Sequence, residues 1–193
     1  MSELSVGQLK GLLANNNVIT VPSGHTLYAP GSVVQVQTVR TDARVTFAQP
    51  LSGDGTTITQ LGLSITPKFA NSRLIMQWMI NGESQQDTSF LIHKNGLLVT
   101  TAGETGYNAE SGNVRWSGIA SGFYDQNESS TPSNWFIQYS CIAASTGAMI
   151  FAPATRASNA TAQTFHLNRT YLSAGADFQE TLVSNGTIWE IAQ

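Results

Sequence analysis

From Ser32 onward the chain alternates. In SVVQVQTVR, Val34, Val36 and Thr38 fall on one side of an extended backbone, and Val33, Gln35, Gln37 and Val39 fall on the other. That two-residue period is the mark of a half-buried strand. Segments near 44–47, 56–66, 73–82, 88–94, 97–101, 113–124, 134–143, 162–172 and 186–192 read the same way, with turn residues between them. In HKNGLL, Asn95 and Gly96 accept the positive φ angles of a type I′ turn, which predicts a tight antiparallel hairpin between 88–94 and 97–101. Nine or ten strands without a second helix predict an all-β fold, a jelly-roll-like antiparallel β-sandwich. The stretches 103–112, 125–133 and 173–186 are too polar and glycine-rich for strands and read as loops.

The residues before Gly31 follow a different period. Val6, Leu9 and Leu13 recur at spacings of three and four, with Leu12 beside them and Ser5 placed to cap, which predicts at most three turns of amphipathic helix. Gly7 and Gly11 weaken it, and a helix this short does not stand alone in water. Asn15, Asn16 and Asn17 follow, then VITVPSGHTLYAPG, extended but broken by Pro22, Gly24, Pro30 and Gly31. The chain therefore divides into an N-terminal arm, 1–30, and a sandwich domain, 31–193. Leu4, Val6, Leu9, Leu12 and Leu13 must be buried, either on a neighbouring molecule or as a cap on the edge of their own sandwich.

Composition narrows the function. Only 11% of residues are charged, against roughly 25% in ordinary soluble domains. Nine basic and twelve acidic side chains give a net charge of −3 with no basic stripe, which argues against nucleic-acid binding. No apolar run approaches the roughly 20 residues of a membrane helix, so no membrane insertion is expected. The N-terminus lacks the pattern of a signal peptide, which points to synthesis and retention in a cytoplasm. The single cysteine, Cys141, sits in FIQYSCIAA, where it reads as a small buried hydrophobe.

Candidate chemistry is sparse. His25, His93 and His166 lack a second ligand at i+2 or i+4, and Asp125 with Glu128 lacks the spacing of a calcium loop, so no metal or cofactor is expected. Nucleophile and phosphate-loop motifs are missing, and no enzyme activity is expected. The N-x-S/T triplets at Asn127, Asn159, Asn168 and Asn185 are what chance gives in a chain this rich in Asn, Ser and Thr. Trp78, Trp116, Trp135 and Trp189 fall inside strand segments and read as core. Tyr107, Asp125 and Phe178 lie in or beside the polar loops, where a glycan could be bound.

The stretches YAPGSVVQVQTVR, LGLSITPKFANSRLIMQWMINGE, FLIHKNGLLV and IWEIAQ resemble a β-sandwich domain of tailed-phage virion proteins. That domain is common in phages of cyanobacteria and other aquatic hosts, at the tips of tail fibres and tailspikes and in small trimeric capsid decoration (cement) proteins. The resemblance covers roughly residues 28–193 and is sharpest at Pro30–Val36 and at Ile65–Lys68 followed by Ser72–Ile75. It implies a homotrimer on the outer surface of a virion, attached through its N-terminal end, with no catalytic residues. An arm of thirty residues is too short for a fibre shaft, which favours a decoration protein on the major capsid protein. The alternative is a distal tail fibre or tailspike module that binds a host surface glycan through the loops of Tyr107, Asp125 and Phe178.

Overall fold

Strands form where side chains alternate, because a pleated backbone sends successive residues to opposite faces. The computed structural model describes residues 21–23, 25, 28–84, 86–99, 118–122, 131–158, 161–171 and 180–193. These contain twelve strands: β1 (Val33–Thr41), β2 (Val45–Gln49), β3 (Thr56–Thr57), β4 (Leu63–Ile65), β5 (Arg73–Ser84), β6 (Thr88–Lys94), β7 (Leu97–Leu98), β8 (Ala120–Gly122), β9 (Ser133–Ile142), β10 (Met149–Ala157), β11 (Gln163–Leu167) and β12 (Ser184–Ile191). The predicted helix and the five apolar side chains of the arm lie outside the described residues.

Every pairing is antiparallel, and the strands make two sheets. Four lines are each split in two: β1 continues as β2, β3 as β4, β7 as β8 and β11 as β12. Twelve segments thus reduce to eight lines. The first sheet runs β1/β2, β11/β12, β5, β9, and the second runs β3/β4, β10, β6, β7/β8. Numbered along the chain, the lines stand in the order first, eighth, third, sixth, facing second, seventh, fourth, fifth. That is the jelly-roll arrangement of an antiparallel sandwich.

Between the sheets, β5 contributes Leu74, Met76, Trp78 and Ile80, which meet Phe90 and Ile92 of β6, Phe151 of β10 and Phe165 of β11, all fully buried. Each such side chain contributes about 1.5–3 kcal/mol of transfer energy. The Trp78 indole donates to the Leu61 carbonyl at 2.9 Å, so its one polar atom is satisfied inside the core. A Cβ at Gly186 would stand 2.5 Å from Trp78 Cδ1, so the neighbouring strand carries a glycine where that ring crosses it. The Asn95-Gly96 turn forms as predicted, with φ of 52° and 80°.

Several expectations are corrected. β10 is unpredicted, because Pro153 argues against a central strand. Here the missing N–H costs little: the Pro153 carbonyl accepts from Ile58 N, so its nitrogen faces the same gap between β3 and β4 where no strand pairs. The segment 56–66 is not one strand, since a 3₁₀ turn at Thr59–Leu61 interrupts it. A bulge between Val33 and Gln35 shifts the phase of β1, so Val33 and Val36 share the outer face instead of opposing each other. Trp189 lies half-buried on that outer face; Trp78 is core, Trp135 packs against the core, and Trp116 lies outside the described residues. β12 begins at Ser184, inside a stretch read as loop.

The segment 162–172 ends as a strand at Leu167, because Asn168 takes φ 56° and turns the chain. Asn168 is fully buried at the junction of all the broken lines of the first sheet. Its amide nitrogen donates to the carbonyls of Thr41 and Ala43, at 3.0 and 3.1 Å, which bridges the step from β1 to β2. Its side-chain oxygen accepts from Ser184 Oγ at 2.6 Å at the start of β12. Burial of this kind also excludes a glycan there. Replacing Asn168 by Ala strands two carbonyls and a hydroxyl and leaves a non-glycine residue at positive φ. We expect a loss of about 3 kcal/mol in unfolding free energy, measured by urea titration.

Candidate interaction surface

Tyr107, Asp125 and Phe178 lie outside the described residues, as does each arm leucine. The residues that bound these segments are placed, and they sort to two ends of the sandwich. Gly122 pairs with Thr88, Ser133 pairs with Gly82, and the Tyr171 amide donates to Glu83, so the segments 123–130 and 172–179 are both anchored at the β5–β6 end. The chain that precedes β1 arrives at the opposite end. There Gly31 N donates to the Ala192 carbonyl and Ala192 N to the Ser32 carbonyl, beside Ile191, which pairs with Arg73 at the start of β5. Nine strand steps from Arg73 to Gly82 separate the two ends by about 30 Å.

At the arm end, the inward parity of β12 brings a carboxylate into the interior. Glu190 is fully buried and accepts from four donors, none of them charged: Gln35 Nε2 at 2.6 Å, Lys68 N at 2.8 Å, Phe69 N at 3.1 Å and Ser72 Oγ at 2.7 Å. Burial pushes its pKa up, and the hydrogen bonds from Gln35, Ser72, Lys68 and Phe69 outweigh that and hold it below the ordinary 4.5. The cluster fixes the turn that links the two sheets between β4 and β5. Tyr28 packs edge-on against Phe69 of that turn, with ring centroids 4.9 Å apart, and its hydroxyl donates to the Gln193 carbonyl. The arm's last residues are thereby tied to the body before β1 begins.

At the other end a neutral polar knot spans the sheets. Gln49 of β2 donates to Thr88 of β6 and to Thr155 Oγ1 of β10 at 2.6 Å, and it accepts from Ser84 Oγ of β5 at 2.7 Å. His93 is buried, with Nε2 against the Asp54 carbonyl at 2.7 Å and Nδ1 against Thr57 Oγ1 at 2.6 Å. A carbonyl only accepts, so the proton sits on Nε2 and the threonine hydroxyl donates to Nδ1. His25 is exposed. His166 is buried beside Tyr171, ring centroids 5.0 Å apart, and neither ring nitrogen has a hydrogen-bond partner among the described residues. Burial, with Arg169 adding to it, pushes its pKa down to about 4.

The outer faces of the two sheets differ. Across the second, the β2–β3 connection lies against the strands: Arg156 Nη1 donates to the Gly53 carbonyl, and Gly55 approaches the buried Leu91. No described segment crosses the first. Its register sets out four rows of four outward side chains: Val33, Ile191, Arg73, Ile142; then Val36, Trp189, Ile75, Ser140; then Thr38, Thr187, Gln77, Gln138; then Arg40, Asn185, Met79, Phe136. Phe136 is 62% exposed, Val33 54%, Val36 44%, Ile142 40% and Met79 39%, with Trp189, Ile75 and Ile191 half-buried among them. Eight apolar residues on an outward face exceed the scattered hydrophobes of an ordinary surface. Sequence reasoning passed over it, although RLIMQWMI and WFIQYSCI carry apolar residues at both parities, the signal of a strand covered on two sides.

The titrating groups give a signed expectation. A His166 pKa lowered from 6.5 to about 4 means that the unfolded chain takes up the proton first, so stability falls as pH drops through 6.5 and the loss is complete below 4. Glu190 adds a second loss below its ordinary 4.5, where the unfolded carboxylate protonates before the folded one. Urea titrations from pH 8 to pH 4 should show a decline of about 3 kcal/mol from His166, and His166→Phe should remove that component.

Compared with models of known protein families and with curated proteins, the chain gives no match.

Proposed function

We propose that the chain is a structural protein of a phage particle: a capsid decoration (cement) protein, made in the host cytoplasm, that binds the outer surface of the icosahedral head as a homotrimer and stabilises it. The observation that carries this reading is where the family-like stretches meet. Gln35 from YAPGSVVQVQTVR, Lys68, Phe69 and Ser72 from LGLSITPKFANSRLIMQWMINGE, and Glu190 from IWEIAQ join in one hydrogen-bonded cluster. Stretches that resemble one domain in sequence thus act together as one structural unit, at the end where the arm arrives. The arm and the loops carrying Asp125 and Phe178 are anchored about 30 Å apart, which suits a molecule held to a shell at one end and exposed at the other.

Clamping adjacent capsomers needs no catalytic step. It needs apolar area and neutral polar groups repeated by symmetry, which suits a chain with 11% charged residues. Three modest contacts to the major capsid protein act together once one has formed. The loops at the far end favour one other reading, a tail fibre or tailspike module that binds a host surface glycan.

Copy number in purified particles separates the two. Hundreds of copies per particle on a stained gel are expected for a head protein, whereas a few tens or fewer would transfer the chain to the tail. Removing residues 1–17 should leave a folded oligomer that no longer coats particles. Normal decoration by that variant would exclude the arm as the anchor.

A further inference from the structure

We infer that the outer face of the β1–β12–β5–β9 sheet is the surface through which copies of this chain bind one another. This rests on the self-assembling reading above and assigns it a place. Four strands about 4.8 Å apart, each with four outward positions about 6.8 Å apart, make a footprint of roughly 500 Å². Two copies meeting over the whole face would cover about 1,000 Å², the lower bound for a specific interface; around a threefold axis each copy shares the face between two neighbours.

The chemistry of the face selects its occupant. Among its sixteen outward side chains only Arg40 and Arg73 carry charge, and none is a carboxylate. A strongly acidic or basic partner finds no counterpart here. The third row, Thr38, Thr187, Gln77 and Gln138, consists of hydroxyls and amides, and Gln77 Nε2 already donates to Gln138 Oε1 at 2.8 Å. Such groups both donate and accept, so the same row from another copy satisfies them without any opposite charge. Apolar side chains flank that row on both sides: Trp189, Ile75 and Val36 toward the arm end, Met79 and Phe136 toward the other. Apolar side chains, aromatic and Met among them, with charge nearly absent, are what the desolvated part of an interface holds. The second sheet offers no such area, because the β2–β3 connection occupies it.

Light scattering on the full chain tests this. The protein should run at a multiple of its 20.7 kDa protomer mass, three under the head-protein reading. Phe136→Lys and Ile142→Lys, at exposed positions on β9, each place an ammonium at a corner of the contact. Each should shift the protein to 20.7 kDa at micromolar concentration, with self-association weakened about a hundredfold and the strand signal in circular dichroism unchanged. Leu97→Lys, 72% exposed on the β6–β7 hairpin away from the face, should keep the full mass. A wild-type monomer would overturn both this inference and the homotrimer. A wild-type oligomer that survives both face variants would overturn the inference alone. A dimer that both variants dissociate would support the face and discard the threefold arrangement.

Discussion

A single buried carboxylate sets the arm end of the molecule. Glu190 cannot ionise inside a sandwich unless something replaces the water it loses, and the replacement is a ring of neutral donors on β1, on the β4–β5 turn and at the start of β5. Those donors come from parts of the chain that must already stand in their folded positions, so the charge is tolerated in one arrangement only. The register of β12 between β1 and β5, the path of the turn that carries the chain between sheets, and the seat of Tyr28 on Phe69 all follow from it. A strand slipped by one residue would expose Ile188 and bury Trp189 in the place the carboxylate holds.

At the opposite end the same task falls to Gln49, a residue with two donors and one acceptor that joins four strands without charge. The core between the two ends is almost wholly apolar. Polar specificity at both ends and dispersion in the middle keep the two sheets in register. No described segment covers the outward positions of the first sheet, and half of the residues there are the kind that water holds poorly.

Much of this was legible in the sequence because it is local. Asn95-Gly96 carries its turn in two residues, and the alternation of Leu74, Met76, Trp78 and Ile80 needs nothing beyond its own strand. What was hidden depends on partners far along the chain. Pro153 reads as a breaker until the gap between β3 and β4 is known to lie against it. Val33 and Val36 read as opposed until the bulge opposite β12 realigns them. Glu190 gave no signal at all, since its donors are separated from it by 118 to 155 residues. The outer face was written in the sequence as apolar residues at both parities, but on a jelly roll only the strand order reveals that these positions lie side by side on one sheet.

The order of strands has a consequence for how the molecule is made. β12, the last of the twelve along the chain, lies in the interior of the first sheet, between its earliest strand and β5, and pairs Trp189 with Val36 across 153 residues. Until it inserts, β1 has no neighbour in that part of the sheet, and a ribosome-bound precursor presents separated strands in place of a continuous apolar platform. The continuous outer face therefore arrives only with the last strand, and until then the unpaired edge of β1 and the uncovered core side chains of β5 leave half-translated siblings prone to adhere to one another.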